Sequence, residues 1–134
     1  MKDIIILIVL IIIFIIISNY KHQQYKGKNY ALEESGIFTL GQVIKYKPKT
    51  YYSFSAQPAF IRFSFKVKNK DFLGVSNYNV PEENGPQEGS LFIAVYLPSN
   101  PNECALLLDY PVKSIGDYNK YIEEFKTNRP KLDK

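Results

Sequence analysis

Tryptophan is absent from this 134-residue chain, and cysteine, histidine and methionine occur once each. One histidine, His22, and one cysteine, Cys104, cannot build a zinc site, and no carboxylate cluster has calcium-loop spacing. A lone cysteine also excludes an internal disulfide, so the domain stands without covalent staples. Its neighbours Ala105 to Leu108 mark Cys104 as a buried small hydrophobe rather than a reactive thiol. Any Ser-His-Asp or Cys-His arrangement would have to bring His22, beside an apolar run, over a distant domain. The seven glycines are scattered and none opens a helix after a strand, so no phosphate cradle forms. The pairs Glu33-Glu34 and Glu82-Glu83 are sequence neighbours in linkers, and Asp109 closes a strand. None supplies two acids on rigid elements across a cleft, as glycoside hydrolysis requires. The expectation is a protein without enzymatic activity and without a cofactor.

What the chain does have is Ile4 to Ile17, fourteen consecutive apolar residues beginning near the N-terminus. Such a run is delivered to a membrane. As a helix it spans about 21 Å, short of a ~30 Å hydrocarbon core, and length alone suits a secretory signal. Cleavage needs small residues at the first and third positions before the cut, and Ile16 to Tyr20 offers only Ser18. Ser18, Asn19 and Tyr20 can carry the helix into the headgroup layer, with Lys21 snorkelling beyond. An uncleaved signal-anchor over residues 1–20 is expected, with a cleaved signal as the alternative. Lys21, Lys26 and Lys28 after the run favour a cytoplasmic domain by the positive-inside rule. A very short N-terminus ahead of the run favours export. The reading taken is a single pass through the inner (cytoplasmic) membrane, with the domain on the periplasmic side.

Residues 21–35 are polar and without periodicity, a stalk, and residues 36–134 suffice for one domain with one core. Ile37 to Tyr46 is β-branched and aromatic, with Gly41 as a candidate bulge; Tyr51, Tyr52 and Phe54 begin another strand before Pro58. Phe60 to Lys68 alternates cleanly, Ile61, Phe63, Phe65 and Val67 against Arg62, Ser64, Lys66 and Lys68. Asn69-Lys70-Asp71 turns the chain into Phe72 to Ser76, and Pro81 to Gly89 is a loop by composition. Leu91 to Leu97 is apolar on both faces and should be covered on both sides. Pro98 to Asn102 turns into Cys104 to Leu108. Tyr118, Tyr121, Ile122 and Phe125 then recur at helical spacing, predicting a helix over 117–128 capped by Asp117. The fold class is mainly β: a transmembrane helix, a barrel-like antiparallel sheet of about five strands, and one C-terminal helix.

The segment Gly89 to Val112, G-S-L-F-I-A-V-Y-L-P-S-N-P-N-E-C-A-L-L-L-D-Y-P-V, resembles a pattern in small membrane-anchored bacterial β-proteins, a family of unknown function. There a Gly-Asp opens a strand F-x-V-x-Y, followed by P-x-N-P and a Leu-rich strand ending in Asp-x-Pro-Val. Phe38 to Tyr46 is similar to the first strand of the same proteins. Two positions depart: Asn69-Lys70 stands where the family has Asn-Gly, and Ser90 replaces the common Asp. The resemblance implies a fold and a membrane anchor, and carries no chemistry.

One surface stands out as a binding candidate. Lys45, Lys47 and Lys49 would share one side of a strand, with Tyr51 and Tyr52 beside them. Such a stripe suits single-stranded nucleic acid, polysaccharide or anionic headgroups; as a bare solvent face it would merely discourage edge pairing. Net charge is only +4, and Lys and Tyr share A/T-rich codons with the abundant Ile, Asn and Phe. The function expected is therefore a non-enzymatic envelope accessory that docks a protein partner, through an apolar strand edge or the Tyr118/Phe125 helix. The alternative is a small barrel binding an anionic or sugar polymer through the Lys/Tyr stripe. Nucleic acid is not expected as a partner.

Overall fold

The computed structural model describes residues 1–132, apart from the side chains of residues 22–29. Those of His22, Lys26 and Lys28 thus lie outside the described residues. The apolar run begins one long helix, α1 (Lys2–Ser35). Extending a helix costs far less than starting one, so the residues read as a stalk continue it. Lys2–Lys21 is long and apolar enough to cross a membrane, because Ser18, Asn19 and Tyr20 bring its length to about 30 Å. Ile4 to Ile17 stay 46–71% exposed, with no protein surface covering them. A signal sequence has the same length and composition.

Beyond α1 the elements are β1 (Ile37–Lys47), β2 (Thr50–Tyr51), β3 (Ala56–Gln57), β4 (Phe60–Val67), β5 (Lys70–Ser76), β6 (Leu91–Leu97), β7 (Asn100–Pro111) and α2 (Ile115–Thr127). Five strands form one antiparallel sheet in the order β5-β4-β1-β6-β7, while β2 and β3 make a separate two-stranded hairpin. The sheet curls into a half-barrel that brings its edges together. The Leu106 N–H of β7 donates to Ser76 Oγ of β5 at 3.2 Å. A Cβ placed on Gly74 would stand 2.5 Å from Cys104 Sγ, so only glycine permits that approach.

Alternation decides what lies inside. Val43, Ile61, Phe63, Phe65, Ala94, Tyr96, Cys104 and Leu106 fill the concave side. Ile93, Val95, Leu97, Ala105 and Leu107 point the other way, into a second core with Leu32, Val112, Phe125 and Leu132. Strand β6 therefore has both faces covered, as its unbroken apolar sequence requires.

The second core joins α1 to the domain. Leu32 is buried there, and the Gly36 N–H closes the helix on the Leu32 carbonyl at 3.0 Å. Arg129 Nε donates to the Glu33 carbonyl at 2.6 Å, and Nη2 to the carbonyls of Gly36 at 2.6 Å and Leu32 at 3.3 Å. The Glu33 carbonyl lies in the last turn, at the negative end of the helix dipole, so a guanidinium suits this helix end. The Arg129 head also stands 4.7 Å from the Phe38 ring centre, and the Leu132 N–H donates to Glu33 Oε1.

Several local expectations move. The bulge lies not at Gly41 but between Val43 and Lys45; Gly41 instead makes room for Leu106, whose Cδ1 would stand 2.6 Å from a Cβ there. The β4–β5 turn is Lys68-Asn69, both at positive φ (50° and 66°), one residue earlier than composition suggests. Such a pair is the two-residue turn whose twist matches a hairpin. Strand β7 starts at Asn100, so the preceding turn shrinks to Pro98-Ser99. Helix α2 starts two residues early because Ser114, not Asp117, is its N-cap: Ser114 Oγ accepts from the Asp117 N–H at 3.2 Å. Asp117 Oδ2 in turn accepts from the Lys113 N–H at 3.0 Å, so both side chains serve one helix start.

Candidate functional site

Two surfaces present themselves, and both grow from β1. The bulge after Val43 gives Ile44 an extra place on that strand and flips the alternation behind it. Tyr46 thereby turns toward the concave side, its hydroxyl donating to the Pro81 carbonyl at 2.7 Å. Lys45 and Lys47 turn outward and are exposed. Lys49 does not join them. It lies past the end of β1, where its Nζ meets Glu82 Oε1 at 3.2 Å and its N–H meets the Glu82 carbonyl. The Glu82 carboxylate, by hydrogen bond and by charge, holds the Lys49 ammonium above the ordinary lysine value. The stripe of three lysines is thus a pair plus a structural tie to the 81–89 loop.

A cation that sequence reading missed replaces it. Arg62 of β4 lies directly opposite Lys45 in the β1–β4 register, and both are exposed. Like charges across a ladder repel, and only the register reveals the pairing. Tyr51 and Tyr52 do stand nearby, on the hairpin of β2 and β3 rather than on a main-sheet strand. They are 70% and 58% exposed, and Phe54 at the tip is fully exposed. Lys49 Nζ sits 5.3 Å from the Tyr51 ring centre.

The second surface is the convex face of β1, β4 and β5. Leu91, Gln42, Ser64 and Leu73 lie side by side across four strands. Beyond Phe38, which α2 covers through Phe125, this half of the sheet is open: Leu73 is 64% exposed, Val75 51%, Ile44 42% and Leu40 39%. Two shallow hollows share Leu40 and Leu91. One of about 340 Å³ reaches Val112, Ile115 and Tyr118 at the start of α2. The other, about 550 Å³, runs over Gln42, Ser64 and Leu73. Phe125, expected to help a partner dock, is buried beneath Tyr110 and Phe38 and serves the core. Tyr118 remains on the rim.

Comparison with family models, with curated proteins and with solved structures finds no match. The surfaces are therefore read on their own chemistry. Among the described residues, no three His, Cys, Asp or Glu side chains converge to hold a metal ion. Glu33 accepts from the chain near the C-terminus and Glu82 pairs with Lys49, so two of the scattered acids are engaged in holding the fold. Cys104 is buried, its Sγ 3.7 Å from the Asn102 carbonyl.

Proposed function

We propose that this chain is a non-enzymatic, single-pass membrane protein whose half-barrel docks a protein partner in the cell envelope. The uncleaved α1 sits in the cytoplasmic membrane, and the domain stands on its periplasmic side. What carries this reading is the bare convex face. The last turn of α1, α2 and the Leu132 tail cover the β6–β7 half of the sheet, while Leu40, Ile44, Leu73 and Val75 remain open on the other half. Leu40 and Ile44 on β1 and Leu73 and Val75 on β5 stand on either side of a polar column of Lys66, Ser64 and Arg62 on β4, so the face offers a partner apolar area together with donors that fix its register. Continuity of α1 from the apolar run into the buried Leu32 supports a retained helix, since its far end belongs to the domain core.

Photo-cross-linking in native membranes tests the docking face. A benzophenone side chain replacing Leu73 should yield a discrete adduct, and one replacing the exposed Lys120 of α2 should not. Equal adducts at both positions, or none at position 73, would remove the docking face. A dual reporter fused after the last residue checks the topology: a periplasmic signal on a full-length product is expected, and a cytoplasmic one reverses the orientation.

A further inference from the structure

The hairpin of β2 and β3 has no evident work within the fold. Thr50 pairs with Gln57, Tyr51 with Ala56, and the Tyr52 N–H closes the tip on the Ser55 carbonyl at 2.7 Å. At that tip Phe54 is 103% exposed, the most exposed aromatic side chain described. A phenyl ring held fully in water on a closed turn gains nothing from folding. Tyr51 and Tyr52 flank it, and behind them lie Lys45, Lys47 and Arg62, with Lys45 facing Arg62 across the ladder. The nearby Glu82 is already committed to Lys49, so that repulsion is relieved most directly by an outside anion.

The arm is therefore layered: an apolar tip, then phenols, then cations. A bilayer interface has the same order, from acyl boundary through headgroups to phosphates. A sugar or nucleic-acid polymer is gripped by a groove or a flat stacking platform instead, and this tip is convex.

We propose that the 50–57 hairpin is a second membrane contact, with Phe54 entering the boundary of an anionic leaflet, Tyr51 and Tyr52 among the headgroups, and Lys45, Lys47 and Arg62 facing phosphates. The leaflet is that of the bilayer holding α1, so the inference rests on the reading of α1 as a retained anchor. One phenyl ring and three cations bind a free surface weakly, but a tether turns the contact into an intramolecular one. Beyond Lys21, α1 rises about 21 Å, and β1 at about 36 Å is longer than that rise, so the contact requires a tilt in which β1 slopes back toward the bilayer, and its length then spans the gap. Contact at two points would then set that tilt.

The full chain tests this. Ser53→Cys places an exposed thiol on the tip, while buried Cys104 should take no label, which the unsubstituted chain checks. The chain carries a polarity-sensitive fluorophore and is reconstituted into vesicles of phosphatidylcholine with or without phosphatidylglycerol. Flotation with the vesicles reports α1, and fluorophore emission reports the arm. A blue shift with quenching by shallow nitroxide lipid is expected in the phosphatidylglycerol vesicles. It should disappear in Phe54→Ser, a change at a residue without packing, and weaken by about fivefold for each of Lys45→Gln and Lys47→Gln. Emission at the water value in chains that float would overturn the arm alone. A shift that appears only on adding protein-free vesicles, or only with a soluble polyanion, would also overturn it by reassigning the tip to a facing membrane or a polymer. Chains that fail to float would overturn both the anchor and the arm.

Discussion

Removing the Arg129 guanidinium should loosen the joint between α1 and the domain. Two of its bonds to the end of α1 are short, both 2.6 Å, and charge-assisted bonds contribute about 1.5–3 kcal/mol each. The third, to Leu32, is long at 3.3 Å, and the side chain is only partly buried. Both facts favour the lower end, so Arg129→Met should cost about 3 kcal/mol. Methionine keeps an aliphatic stem beside Phe38, which separates lost donors from lost packing. For a domain of roughly 100 residues such a loss lowers Tm by about 12–20 °C. Circular dichroism of the full chain in detergent measures it. Arg129→Lys should recover no more than about half, because an ammonium lacks the planar fork that reaches several carbonyls at once. Amide exchange at Gly36, whose N–H closes the helix on the Leu32 carbonyl, should quicken in both variants. A methionine variant melting within about 3 °C of the parent, with Gly36 exchange unchanged, would refute the clasp.

Gly74→Ala should destabilise by about 1–3 kcal/mol through overpacking, since the new methyl would stand 2.5 Å from Cys104 Sγ and 2.7 Å from Phe63 Cζ. Adding Cys104→Ala should return part of that loss in chemical denaturation, and strict additivity would disprove the contact. Replacing Lys68-Asn69 by Asn-Gly should stabilise by about 1 kcal/mol, because both positions have positive φ and lysine there is strained; an unchanged midpoint would contradict the turn type. The raised Lys49 pKa means the Glu82 tie is intact below pH 10.5 and is lost as pH climbs through the raised value. In an alkaline NMR titration, Lys49 should deprotonate above 10.5, and Glu82→Gln should bring it down.

Periodicity determined the types of the main-sheet strands and of α2, but not the helical continuation of α1 over residues 21–35, which has no apolar period to read. The alternation of Ile61, Phe63 and Phe65 and the two apolar faces of Leu91 to Leu97 both appear as drawn, with those residues in the cores. The Tyr118, Tyr121, Ile122, Phe125 stripe does pack one helix against the sheet. Such patterns are legible because each side chain reports whether its own side is wet or dry. They say nothing about which strand lies alongside. Order and closure, with β4 beside β1 and β5 folded toward β7 through Ser76 and Gly74, were set by packing.

The candidate site divides the same way. Tyr51 and Tyr52 and the exposure of Lys45 and Lys47 could be read in the chain. Lys49 could not, because its partner Glu82 lies in a loop 33 residues away. Nor could Arg62, which joins the cations only through the β1–β4 register, or the bulge that turns Lys45 outward. Nor could Arg129, just past the predicted 117–128 helix; its partners are the carbonyls of Leu32, Glu33 and Gly36, at least 93 residues back. By itself the sequence determined an apolar N-terminal helix long enough to cross a membrane, a two-faced sheet and an amphipathic helix, because burial leaves a local mark on composition and period. Which charges meet, which aromatics stay bare and how α1 is gripped were decided by tertiary structure, because a long polar side chain finds its partner only after the backbone has brought distant segments together.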